Sequence, residues 1–161
     1  MLLALVPLFM ACQSTLTDDT QSVGVEMSGD FLVEGPNTLQ GNSGISLEAL
    51  AEAVGCSPEG IIAIGVSSVS VGIQEDGRAI AESLLFQVAS SNQDLISIAT
   101  LNPLPESGKI EMQVAEEVDL LPYMQDEGLT WVMDLNLSED YMDELMAKAK
   151  IGLIVEYKEE K

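Results

Sequence analysis

The chain reads as an antiparallel β-sandwich with one or two short helices. Three observations predict this. Roughly seven or eight short segments alternate apolar and polar residues, and turn-forming residues recur about every ten positions between them. The third is a hydrophobic content of 47%, which argues against disorder in spite of a formal charge of −21.

The elements follow in order. Residues 13–22 are rich in Ser, Thr, Asp and Gln and read as a flexible tether. In 23–35, Val23, Val25 and Met27 alternate with polar neighbours as on a half-buried strand. Phe31 and Val33 continue that phase beyond a turn at Ser28-Gly29-Asp30. Residues 35–44 are a loop by composition. Ser46 then opens the clearest helix: Leu47, Leu50, Ala51 and Val54 share one face, Glu48 lies in the first turn and Gly55 is placed to end it.

From Ile61 to Ile73 the pattern is β, with a phase slip at Ser67-Ser68 that reads as a bulge. Residues 74–78 contain Asp76-Gly77, a tight-hairpin signal. Two further strands span 79–90 and 94–101, and a proline-rich connection follows at 102–108. Ile110, Met112 and Val114 mark the next strand, and Pro122 puts a helical turn or loop within 118–128. Residues 129–137 send Leu129, Trp131, Met133, Leu135 and Leu137 to one face. Helical spacing of Met142, Leu145 and Met146 predicts a short helix at 139–146. The last strand, 148–158, turns Ala149, Ile151, Leu153, Val155 and Tyr157 inward, with flanking lysines of the kind that guard a sheet edge. Trp131 and the methionines at 112, 133, 142 and 146 are expected to fill the core.

The first twelve residues, MLLALVPLFMAC, form an apolar run that ends at Ala11-Cys12 and turns polar at once. They resemble a bacterial lipoprotein signal. The resemblance implies a signal peptide over 1–11 cut after Ala11, lipidation of Cys12, a tether over 12–22 and a folded domain over 23–161. Two departures stand out: Phe9 occupies a position where the pattern prefers Leu, and no basic residue precedes Arg78. The second implies a start upstream of Met1. The run is too short to cross a bilayer as a helix, which takes about 20 residues. By the lipoprotein pattern, Gln13 after the cysteine implies the outer membrane. The segment from Ile96 through LNPLP, IEMQVAEEVDLLPYMQ and LTWVMDLNL to IGLIVEY is similar to bacterial β-sandwich lipoproteins and, through them, to LEA-like and immunoglobulin-like sandwiches. That likeness implies a fold and no chemistry.

Six basic residues stand against 27 acidic ones. Such a surface repels phosphate backbones, so nucleic acid is not an expected partner. The acidic clusters at Asp18-Asp19, Glu116-Glu117-Asp119 and Glu139-Asp140-Asp143-Glu144 lack the spacing of a calcium loop, and no metal or cofactor is expected. The chain contains no histidine, which removes the usual neutral-pH base, Ser-His and Cys-His nucleophile pairs and most zinc sites. No nucleophile-elbow or phosphate-loop motif occurs. Cys56, with no basic neighbour in sequence, is expected to be a buried structural thiol.

The expectation is therefore a non-enzymatic, lipid-anchored module of the cell envelope, held to the membrane through Cys12 and facing an envelope protein partner. Two alternatives belong to other classes. One is an extracytoplasmic protein binding a small ligand or divalent cation with acidic loops. The other is an assembly subunit that completes its sheet with a partner strand.

Overall fold

The computed structural model describes residues 16–43 and 45–159. Eight strands are present: β1 (Leu16–Gly29), β2 (Gly35–Gly41), β3 (Ile61–Ile73), β4 (Ala81–Ala89), β5 (Ile96–Leu101), β6 (Ile110–Val114), β7 (Thr130–Leu137) and β8 (Leu145–Lys158). Among the described residues three short α-helices accompany them, α1 (Leu47–Val54), α2 (Glu75–Ile80) and α3 (Leu121–Met124), with a 3-10 turn at Pro58–Gly60.

The strands do not form a sandwich. They close into one antiparallel barrel in the order β1-β2-β7-β4-β5-β6-β3-β8. Strand alternation is the same in both architectures, because each presents one apolar face to a core. What separates them here is pairing across long sequence distances. β8 pairs with β1 from Gly29↔Leu145 to Leu16↔Lys158 and, on its other side, with β3 from Ile61↔Tyr157 to Ile73↔Ala147. One long strand thus joins what would be two sheets. Bulges between Ile61 and Ala63, Val66 and Ser68, and Ala81 and Ser83 bend the sheet toward closure.

The barrel is a packed solid. Trp131, Phe86, Met133, Ile64, Ile98, Ile151 and Leu153 point inward with no exposed surface. An eight-stranded barrel is just wide enough for side chains to fill it. The Trp131 and Phe86 rings stack with centroids 5.6 Å apart and planes 5° apart, and the Trp131 Nε1–H donates to the Ser43 hydroxyl at 2.7 Å. Outward positions carry Glu26, Glu111, Lys148, Lys150 and Glu156. Apolar inside and charged outside is the reverse of a membrane-spanning barrel. Among the described residues no helix is long and apolar enough to cross a membrane.

Several local expectations are corrected. Residues 16–22, assigned by composition to the tether, form the first half of β1, hydrogen-bonded to the end of β8. Their side chains extend past the core and are mostly exposed, so no apolar alternation marks them. Residues 35–41, expected as loop, are β2, a polar strand with Leu39 as its fully buried anchor and a continuous ladder to β7. The hairpin at 74–78 is instead α2, because β3 and β4 are not neighbours and the chain must cross one end of the barrel. The expected helix at 139–146 is absent. Tyr141 bridges to Leu32, the Ser138 N–H donates to the Ile80 carbonyl, and Leu145 begins β8. The lysine-flanked strand β8 is not an edge but lies between β1 and β3, where Lys148 meets Glu26 across the ladder at 2.6 Å.

Other expectations hold. Ser46 caps α1 by accepting from the Ala49 N–H at 3.2 Å. Gly55 ends the helix at φ 76°, a left-handed conformation that costs glycine little. The β3 register slips at Ser67 as expected.

The barrel has two distinct ends. The start of β1, the end of β8, α1, α3 and the 90–95 loop lie at one; the β1–β2 turn, α2, the 102–109 connection and the 138–144 loop lie at the other. Arg78 ties the second end together, donating to the Gly108 and Pro105 carbonyls at 2.6 and 3.0 Å.

Candidate functional site

Cys12 and Ala11, the expected lipidation and cleavage positions, lie outside the described residues. Of the acidic residues singled out by sequence, Asp19, Asp119 and Asp140 accept hydrogen bonds from backbone N–H groups. The Asp19 carboxylate accepts from the Thr20 N–H, and that of Asp119 accepts from Ile64 and Leu121 N–H groups at 2.9 and 3.0 Å. The Leu120 N–H returns a bond to the Ile64 carbonyl at 2.8 Å. The 119–121 segment thereby covers the edge of β3 beyond its pairing with β6. Among the described residues no three Asp, Glu, Cys or His side chains converge in a metal-ligand arrangement.

The densest polar node is Asp126, which sequence reading overlooked. Its carboxylate accepts from the Ser90 hydroxyl at 2.8 Å, the Asn92 N–H at 2.5 Å, the Asn92 side-chain amide at 2.6 Å and its neighbour Glu127 N–H at 2.9 Å. These bonds, that of Ser90 foremost, hold its carboxyl below the ordinary range. They clamp the 90–94 loop to the segment after α3, a structural task. Asp126→Asn places an amide donor among groups that already donate, so this variant is expected to be less stable at neutral pH. A lowered folded-state pKa contributes stability above the unfolded-state value and loses it as pH falls through the folded one. Wild type and variant should therefore converge on acidification, as urea midpoints measured between neutral and acid pH would show.

Surface grooves are shallow. One of 340 Å³ runs along the β3–β6 seam beside Ser67, Ser68, Ser70, Lys109 and Glu111. Another, of 370 Å³, lies between Ser46 at the start of α1 and Asp126. Neither gathers a nucleophile, a base and an oxyanion donor. Cys56 is half-buried against the core. Trp131, Met112 and Met133 are buried as expected, whereas Met142 is exposed because the helix that would have buried it does not form.

Among the described residues, the tip of the second barrel end sets exposed apolar side chains among acidic ones. Phe31 is 75% exposed, Val33 54% and Met142 57%. Phe31 and Val33 break the inward phase expected of them because Phe31 turns to φ 53° and Leu32 takes the buried position. Leu32 and Tyr141 exchange both backbone hydrogen bonds at 2.9 Å, which joins the β1–β2 turn to the 138–144 loop. Chemical contrast is what sequence reasoning could have noticed: both segments place apolar residues between acids, as DFLVE and EDYMDE. Compared with known proteins, the chain matches no family model, no curated protein and no solved structure.

Proposed function

We propose that this protein is a lipid-anchored, non-enzymatic interaction module of a bacterial envelope. The observation that carries the reading is the apolar run closed by Ala11-Cys12, set directly before a folded barrel. Three residues separate Cys12 from Leu16, a reach of about 10 Å per three residues of extended chain. An acyl chain on Cys12 would hold the first barrel end close to the bilayer, and the Phe31 end would face away. More than one acyl chain is needed for stable attachment. Gln13 favours the outer membrane under this reading.

A filled barrel interior supports a surface role over ligand storage, and the lack of histidine supports a role without acid–base catalysis. The membrane and an envelope protein are the partners this reading implies. The test is the intact mass of detergent-extracted protein expressed from its native gene, beside Cys12→Ala. A mass for residues 12–161 plus acyl groups is expected, with both the added mass and membrane association lost in the variant. An unmodified chain beginning elsewhere would overturn the anchor.

A further inference from the structure

We infer that the tip formed by the β1–β2 turn and the 138–144 loop is a docking surface for a protein partner that offers an apolar recess rimmed by lysine and arginine. The inference rests on the interaction-module reading and names its surface and the chemistry of its partner.

Exposed apolar side chains ringed by polar ones mark interaction surfaces, whereas single exposed residues do not. Here three lie on two joined loops. Phe31 and Val33 flank Leu32, and Met142 follows Tyr141, so all three adjoin the Leu32↔Tyr141 bridge. The rim is acidic and exposed: Asp30, Glu34, Glu139, Asp140, Asp143 and Glu144. Neither 29–34 nor 138–144 contains a lysine or arginine.

The tip is preorganised. The Asn37 side chain accepts from the Val33 N–H at 3.0 Å and donates to the Val33 and Gly35 carbonyls at 2.7 and 2.9 Å. Asp140 accepts from the Glu34 N–H at 2.8 Å. A loop held this way loses little freedom on binding. Phe31 is also placed against the interest of the fold. It sits in a left-handed conformation that a bulky residue rarely adopts, and it buries little of its ring. Strain of this kind concentrates at functional positions.

Charge decides among occupants. A second copy would set acidic rim against acidic rim, and an anionic bilayer would be repelled likewise. A basic protein surface complements both the rim and the apolar centre. The position of the tip, at the far end of β1 from Leu16, leaves it open to a partner even when the other end is held near a membrane.

The test pans the full chain in detergent micelles against a displayed random-peptide library, then measures affinities of selected peptides. Wild type is expected to select peptides with apolar residues flanked by Lys or Arg, and added salt should weaken them. Phe31→Asn and Met142→Ser should each weaken binding at least tenfold. Asn tolerates the left-handed conformation, so Phe31→Asn should melt no lower than wild type. Leu95→Ser, at the opposite end, should bind as wild type does. Selection of neutral or acidic peptides would overturn the proposal, as would affinities unchanged by the tip variants. So would tip-dependent binding to phosphatidylcholine vesicles, or self-association abolished by Phe31→Asn. Peptides that map to another face would sink the tip and leave the interaction module standing, while the Cys12 mass reports on the anchor separately.

Discussion

Trp131→Ala is expected to destabilise the protein by about 4 kcal/mol, within the usual range for truncating a fully buried aromatic side chain. Three losses combine. The indole has no exposed surface, so its removal leaves a cavity inside the barrel. Phe86 loses the ring stacked on it at 5.6 Å. Ser43 loses the Nε1–H that it accepts at 2.7 Å. Against the 5–15 kcal/mol typical of a domain, such a loss approaches unfolding. Trp131→Phe separates the contributions, since it keeps an aromatic ring and discards the hydrogen bond; it should cost roughly 1–2 kcal/mol. Urea unfolding followed by far-UV circular dichroism measures both variants. In the parent, the fluorescence of this single tryptophan reports the same transition from a buried to a hydrated indole. A loss below about 1 kcal/mol for the alanine variant would mean that the barrel is loosely filled, and a small-ligand reading would regain ground.

The strands were legible because their inward residues are large and regular. Trp131, Met133, Leu135 and Leu137 on β7, and Ala149 through Tyr157 on β8, follow a strict period of two and are all buried. Helix α1 was legible from Ser46, Gly55 and one apolar face, all local signals. Closure was not, because it depends on pairs such as Glu26 with Lys148, separated by 122 positions. No periodicity within one strand states which strand lies beside it. β2 was missed because a single inward anchor, Leu39, cannot establish alternation, and the first half of β1 because it lies beyond the core. At the tip, the spacing of Met142, Leu145 and Met146 suits a helix, but Leu145 is drawn into β8 and Tyr141 into the bridge with Leu32. Tertiary pairing overrode local propensity, and the residue left over, Met142, became part of the exposed apolar tip. The proposed anchor stands differently: Ala11-Cys12 lies outside the described residues, and the barrel adds only that its first strand begins at Leu16.

Gly41→Ala is expected to cost about 3 kcal/mol, the upper part of the range for overpacking. The barrel closes between β1 and β2 at one register pair, Ser28↔Gln40. Beside that pair, a methyl group on residue 41 would overlap the Glu26 carbonyl oxygen and lie 2.7 Å from Met27 Cγ. The first obstacle is backbone, which cannot rotate aside as a side chain can. The second belongs to a residue only 2% exposed. Relief therefore requires β2 to retreat from β1, which opens the seam, or β1 to shift against β8, which strains a ladder running from Leu16 to Gly29. Gly24→Ala on the same strand β1 is the control, because a methyl there meets nothing within 4 Å. Removing a glycine at an unstrained site restricts the unfolded chain, so this variant should gain roughly 0.4–1 kcal/mol. The two substitutions add the same atom, and only the distance to the neighbouring backbone distinguishes them. Urea midpoints give the difference, and hydrogen exchange locates it: in Gly41→Ala, amides of β2 near Gln40 should lose protection before those of β8. Equal midpoints for the two variants would show that β1 and β2 do not approach closely. The sheet would then be open at that seam rather than closed.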